Sequence, residues 1–226
     1  MASVGVNSGD ARGIADLRWA AHEGCERFVV DLATVDGAPA IAVGETSVAL
    51  VEPGILRIQL PQTVTLTAVA DNTFDGDLVQ RAYVVRDRAG SLFVDLLLSG
   101  AIEARASALE SPARVVVDVQ PGSGEPGGTP TIGENVVVTS PQAGEAGYPL
   151  QVAGYSRTFE ANVVARIRGG GEETGLFTTA TDYLETWGVF ELEFGEGPLG
   201  QVELFVGEDD AADGSERGVT IPLTMM

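Results

Sequence analysis

The residues of this chain best suited to chemistry lie in short stretches rich in acids, imidazole or thiol. In "HEGCE", residues 22–26, His22, Glu23 and Cys25 sit close together. His22 is the only histidine, which excludes the two-imidazole spacing of a helical zinc protease. A transition-metal site at His22, Glu23 and Cys25 would need a fourth ligand from elsewhere. A Cys25–His22 nucleophile pair, three residues apart in a turn, follows no protease order. Acid pairs such as Asp75 with Asp77, or Glu191 with Glu193, have the composition of a glycosidase site. With 33 acids against 13 bases, such pairs arise readily by composition, and Glu191 and Glu193 share the solvated side of one alternating stretch.

Two acidic loops approach the pattern of a calcium loop. "DNTFDGD" (71–77) places Asp71, Asp75 and Asp77 around a glycine, but Ala82 stands where the bidentate Glu belongs. "EDDAADG" (208–214) places Asp209, Asp213 and Gly214 suitably, with Ala211 and Thr220 at ligand positions. Asp-Gly is also the commonest hairpin signal, so each loop reads as a hairpin turn at least as well. These five aspartates are weak calcium candidates, and the expectation is that no metal is bound. The sequence predicts no catalytic set, no cofactor and no enzyme activity.

The net charge is −20, and all 13 bases are Arg. Such a chain repels nucleic acid and anionic lipid. Its acidity serves solubility, or else cation-bridged binding of an anionic polymer. Residues 1–122 hold 16 acids and 9 Arg (net −7), and 123–226 hold 17 and 4 (net −13). Cys25 is the only cysteine, so an internal disulfide is excluded. The opening "MASVGVNSGD" has no signal pattern, and no apolar run reaches the ~18 residues of a membrane span. A chain without direct membrane insertion is expected; if the parent protein is exported, its targeting or lipid-anchor segment has been removed.

The elements that must position these residues are strands. Apolar residues make up 44% of the chain, enough to build cores, and the periodicity is close to two. In "RFVVDL" (27–32), Phe28, Val30 and Leu32 face one way and Arg27, Val29 and Asp31 the other. "RVVVDV" (114–119) repeats the arrangement with Val115, Val117 and Val119 opposite Arg114, Val116 and Asp118. Further strands are expected at 54–60, 62–69, 78–86 and 91–98, while 101–111 fits a strand or a helical turn equally. The second half offers 135–139, 149–155, 161–168, 174–181, 187–194, 200–207 and 217–224. Seven strands in about 90 residues indicate a β-sandwich. "PGSGEPGGTPTIGEN" (121–135) carries five Gly and three Pro and marks a boundary. The chain is therefore expected to be all-β, with two β-sandwich domains in series at 14–120 and 134–226 and a linker at 121–133. Trp19 and Trp187, near strand ends, are expected in the cores rather than stacked on sugar rings.

Arg and Asp four apart on one strand face are separated by about 13 Å, so they cannot pair with each other. Each must find a neighbouring strand or project outward. "RWAAHEGCERFVVDL" (18–32) with "ESPARVVVDV" (110–119) resembles the AMIN-like domain of secreted bacterial proteins, at Arg27, Val29, Val30 and Asp31 and at Arg114, Val116, Val117 and Asp118. Cys25 departs from the family, whose members usually carry an aromatic there. The resemblance implies an extracytoplasmic envelope protein whose first domain binds peptidoglycan or another cell-wall glycan. Arg27, Asp31, Arg114 and Asp118 are the candidate contacts, Arg reaching muropeptide carboxylates bidentately.

"VAGYSRTFEANVVARI" (152–167) resembles the immunoglobulin-like domain of bacterial spore germination proteins, the GerMN-associated type. Gly154, Phe159, Glu160, Ala161, Asn162 and Val163 carry the match. "VVVTSPQAGEAGYPLQV", "WGVFELEF" and "DGSERGVTIPL" follow in the family's order. The resemblance implies an immunoglobulin-like second domain for spacing or contact with envelope proteins. Phe159 is then expected as a core anchor, with Glu160 and Asn162 satisfying backbone groups at a strand entry. The alternative reading of the whole chain is a protein-interaction scaffold of a sporulation or germination assembly without glycan affinity.

Overall fold

The computed structural model describes residues 1–51, 53–123, 128–210 and 212–226. The chain divides into two compact units, Met1–Gly128 and Thr129–Met226. Residues 124–127, within the expected linker, and Ala211, within the second acidic loop, lie outside the described residues.

The first unit contains β1 (Ala2–Val4), β2 (Gly13–His22), β3 (Cys25–Ala33), β4 (Thr46–Val51), β5 (Ile55–Gln59) and β6 (Leu66–Thr67). It continues with β7 (Asp71–Thr73), β8 (Val79–Arg86), β9 (Leu92–Leu98), β10 (Ile102–Leu109) and β11 (Arg114–Pro121). One sheet runs β1, β4, β5, β9, β8, with β7 also on β8; the other runs β10, β11, β3, β2, β6. Period-two alternation explains the core between them: Phe28, Val30 and Leu32 of β3 and Val115, Val117 and Val119 of β11 meet Leu56, Ile58, Val94 and Leu96. Residues 101–111 resolve to a strand. The expected strand at 62–69 is mostly loop: Val64 is fully buried, but its N–H bonds Pro61 O in a turn. The unit also begins before residue 14, since β1 pairs with β4 and the Asp10 carboxylate accepts the N–H groups of Ile41 and Ala42.

The second unit contains β12 (Thr131–Ile132), β13 (Val136–Ser140), β14 (Gly144–Ala146), β15 (Leu150–Ser156) and β16 (Asn162–Gly169). Then follow β17 (Glu172–Thr179), β18 (Trp187–Phe194), β19 (Gly200–Asp209) and β20 (Glu216–Met225). One row runs β18, β15, β13, β12 and the other β14, β20, β19, β16, β17. Phe190, Leu192 and Phe194 enter the core with Val163, Ala165 and Ile167, leaving Glu191 and Glu193 exposed. Pro121 and Thr131–Ile132 belong to strands, so both ends of the expected linker are structured.

One buried carboxylate ties the two sheets of the first unit. Glu26 is 7% exposed, and its oxygens accept the N–H of Leu78 (2.8 Å), the N–H of Val79 (2.9 Å) and the Trp19 indole N–H (2.9 Å). Burial alone would push this carboxyl up, but those donors hold it below its ordinary value of 4.5. Trp19 is half-buried and packs beside Phe74, and a Cβ on Gly76 would fall 2.6 Å from Glu26 Oε2. The 71–77 loop is thus seated on Glu26 and Trp19. Because the folded-state pKa is lowered, the Glu26 contribution is complete above the unfolded value and is lost as the pH falls through the folded one. Glu26→Gln is expected to cost about 1–3 kcal/mol at pH 7. The gap between wild type and variant should close as the pH drops below 4.5. Denaturant melts at several pH values test this, and a gap that widens on acidification would refute it.

Candidate functional site

The four arginine and aspartate residues singled out in the first unit lie on the outer face of the β10–β11–β3–β2 sheet. Arg27 and Asp118 are register partners, and the guanidinium grips the carboxylate with Nε–Oδ1 2.7 Å and Nη2–Oδ2 2.8 Å. That bidentate bond lowers the Asp118 pKa. Asp31 stands opposite Arg114 in the register, yet its carboxylate is taken by Arg18, at 2.5 and 2.8 Å. The Arg114 Nε donates to Pro112 O at 3.2 Å. The structure therefore joins Arg27 to Asp118, gives Asp31 to a residue the sequence did not single out, and leaves Arg114 apart. A smaller depression of about 280 Å³ beside them is lined by Glu103, Arg105, Asp118 and Gln120.

The other singled-out residues are dispersed. His22 and Cys25 face each other at the exposed tip of the β2–β3 hairpin. Asp71 bonds Arg81 at 3.2 Å, while Asp75 and Asp77 are exposed in the β7–β8 hairpin. Asp209 is gripped by Arg166, and the Asp213 carboxylate accepts the Ser215 N–H. No group of three or more His, Cys, Asp or Glu residues suited to a metal occurs among the described residues. Trp187 is buried edge-on against Tyr155.

An open concavity bordered by aromatic side chains lies in the second unit. It is a groove of about 550 Å³ on the outer face of β17, β16 and β19, floored by Val164 and Arg166 and flanked by Phe159, Leu176 and Phe177. Alternation places it: Val163, Ala165 and Ile167 point into the core, so Asn162, Val164 and Arg166 face out. Register puts Phe177 beside Val164 and Gly175 beside Arg166. Phe177 is 81% exposed and Phe159 67%.

Phe159 is therefore not a core anchor, contrary to expectation. Glu160 (φ 54°) and Ala161 (φ 59°) are two consecutive non-glycine residues in the left-handed region. The reversal turns Ala161 and the fully buried Thr158 inward and leaves Phe159 outside. The backbone service expected of Glu160 and Asn162 falls to Glu208, whose carboxylate accepts the Phe159 N–H at 2.6 Å and a bond from the Asn135 amide. Neither the Glu160 nor the Asn162 side chain makes a hydrogen bond among the described residues.

One end of the groove is set by ion pairs. Arg166 bonds Asp209 at 2.9 and 2.6 Å and Glu216 at 2.7 Å, with its guanidinium 5.9 Å from the Phe205 ring centroid. Glu216 also accepts from Arg168, which bonds Glu173. Arg166 holds Asp209 below the ordinary carboxylate range, and Arg168 does the same for Glu216. Arg166 is thereby neutralised, leaving an apolar trough with an acidic rim. Exposed aromatic side chains beside an apolar floor are a geometry suited to docking. Two adjacent apolar residues in "EETGLFTT", which place large side chains on both faces of one strand, were the sequence signal for it.

Comparison with known proteins agrees with this part of the chain. Residues 135–215 match the Gmad2 family, the immunoglobulin-like domain of bacterial spore germination. No curated protein matches the chain, and no solved structure does. An immunoglobulin-like module of this kind points to a non-catalytic accessory or interaction role.

Two glycines separate fold from groove. A Cβ on Gly154, within the matched stretch, would sit 2.0 Å from Val137 O, whereas one on Gly175 would meet nothing closer than Arg166 Cγ at 3.6 Å. Gly154→Ala is expected to destabilise the chain by about 1–3 kcal/mol or more. Gly175→Ala should stay within about 0.5 kcal/mol of wild type. Thermal melts of both variants check this pair, and equal losses would contradict it.

Proposed function

We propose that this chain is a non-catalytic, extracytoplasmic accessory protein that binds a protein partner through the groove of its immunoglobulin-like unit. The observation that carries this reading is the pair Phe159 and Phe177, both largely exposed and flanking one concavity. Exposed aromatic anchors over an apolar floor are what a protein interface uses for its central contacts. The match of 135–215 to a germination-type module supports a role in an envelope or germination assembly.

A second reading keeps the AMIN-like assignment of the first unit and gives it cell-wall glycan. Arg105 and Arg114, which form no ion pair among the described residues, favour it. Against it, Arg27, Asp118 and Asp31 are each already held in bidentate pairs, so a muropeptide carboxylate would have to displace an aspartate to reach Arg27.

A photocrosslinking residue placed at Phe177 of the full chain, with Leu199 as an exposed control position outside the groove, separates these readings. In a cell-envelope extract, position 177 should give a discrete protein adduct that position 199 does not. Purified sacculi should not retain the chain above background. Retention lost in the Arg105→Ala, Arg114→Ala double variant, with no adduct at 177, would replace the groove by the glycan reading.

A further inference from the structure

We infer that the groove's partner is an extended, base-flanked polypeptide segment that adds as a strand to the free edge of β17. The inference rests on the groove reading above and names its occupant.

Strand β17 ends its row: among the described residues it is laddered on one side only, with β16, and the chain leaving it turns to β18, where the Thr181 N–H bonds Val189 O. It is eight residues long, whereas the terminal strands β12 and β14 have two and three. Short edges, proline and edge lysines are the usual protection against strand addition. β17 contains no proline, and its charged residues, Glu172 and Glu173, are confined to the hairpin end, leaving Leu176 and Phe177 at its centre.

The direction of its free backbone groups follows from the hairpin. The β16–β17 turn is the two-residue loop Gly170–Gly171, both with positive φ (60° and 85°), which the left-handed turn of such a hairpin requires. The closing pair Gly169–Glu172 is then hydrogen-bonded, and pairs alternate from there. Residues 174, 176 and 178 bond β16, while Glu173, Gly175, Phe177 and Thr179 direct N–H and C=O to the open edge. Gly175 and Phe177 also line the groove, with Leu176 between them. An added strand would therefore ladder onto the positions whose side chains border the trough, and would set its own side chains beside Phe177.

Charge chooses the occupant. Glu172 opens β17, and Glu160 stands by its other end, next to the Asn162–Thr179 pair. Both are exposed and form no ion pair among the described residues. Arg166, the one arginine lining the groove among the described residues, is neutralised by Asp209 and Glu216. The segment that fits has apolar, β-branched or aromatic residues at its centre and Lys or Arg at both ends. A second copy of this chain, at a net charge of −20, does not.

The probe is the fluorescently labelled peptide RKVTFTVKR, titrated into the full chain and followed by anisotropy. Its controls are EEVTFTVEE and a form of RKVTFTVKR with alternate residues N-methylated, which cannot ladder. RKVTFTVKR should bind, the two controls should not, and added salt should weaken the complex. Gly175→Pro removes one outward N–H without touching a bond to β16, and should weaken binding about tenfold at unchanged melting temperature. Phe177→Ala should weaken it similarly. If Phe177→Ala abolishes binding while Gly175→Pro and N-methylation leave it intact, strand addition is wrong and groove docking survives. Equal binding of EEVTFTVEE overturns the base-flanked partner, and no binding of RKVTFTVKR overturns the inference. Self-association abolished by Gly175→Pro would make the occupant a second copy instead.

Discussion

A β-strand shows its side chains alternately to two sides, so each residue that enters a core commits its neighbours to the opposite face. This constraint organises both units. Phe28, Val30 and Leu32 are buried on β3, which obliges Arg27 and Asp31 to lie outside. Val163, Ala165 and Ile167 are buried on β16, which puts Val164 and Arg166 on the surface. The outer faces have been treated differently. In the first unit the face is tiled by Arg–Asp pairs across adjacent strands, Arg27 to Asp118 and Arg18 to Asp31. In the second, two of the facing positions are glycine and phenylalanine, and the face sinks into a groove.

Strand alternation alone would not expose Phe159. That outcome needs the reversal at Glu160 and Ala161, two left-handed residues of a kind that costs about 1–3 kcal/mol each and persists only where its surroundings hold it. The surroundings here are specific: Glu208 fixes the Phe159 N–H, the Ala161 N–H bonds Thr158 O, and the Ala180 N–H bonds Ala161 O. Glu208 thus acts twice, as the brace of the turn and as part of the groove's acidic rim. Strain and the shape of the site come from the same few residues.

Much of the architecture was legible because the alternation is clean. "WGVFELEF" became β18 over its whole length, and "RVVVDV" fell within β11. Where reading failed, a single residue overrode the pattern. In 62–69 the alternation of Val64, Leu66 and Ala68 predicted a strand, but the turn after Pro61 took Val64 into the core from a loop. Phe159 was expected as an anchor from the resemblance of 152–167 to the germination module, and nothing local announces two left-handed residues without glycine. The ion pairs were half legible. Spacing excluded pairing within a strand, but which carboxylate Asp31 or Asp118 would offer, and to which arginine, depends on register across β2, β3 and β11. Glu26 was invisible as a clamp, since one acid beside an aromatic hairpin carries no sequence signature.

The arginines explain what remains on the surface. Arg18, Arg27, Arg57, Arg81, Arg166, Arg168 and Arg217 are each bound to an aspartate or glutamate. Their charge is spent within the fold: Arg57 neutralises Asp95, which is fully buried and whose pKa burial pushes up. Exposed pairs of this kind add little stability, but they fix partners across strands and remove cations from the surface. The surplus of acids, 17 against 4 Arg in residues 123–226, is therefore presented outward. Around the groove proposed as a docking site, a field of this sign opposes anionic polymers and favours cationic segments, acting on encounter rate rather than on final packing energy. In the proposed complex, affinity depends on what Phe159, Phe177 and the open backbone of β17 bury or bond, and charge selects the segments that arrive.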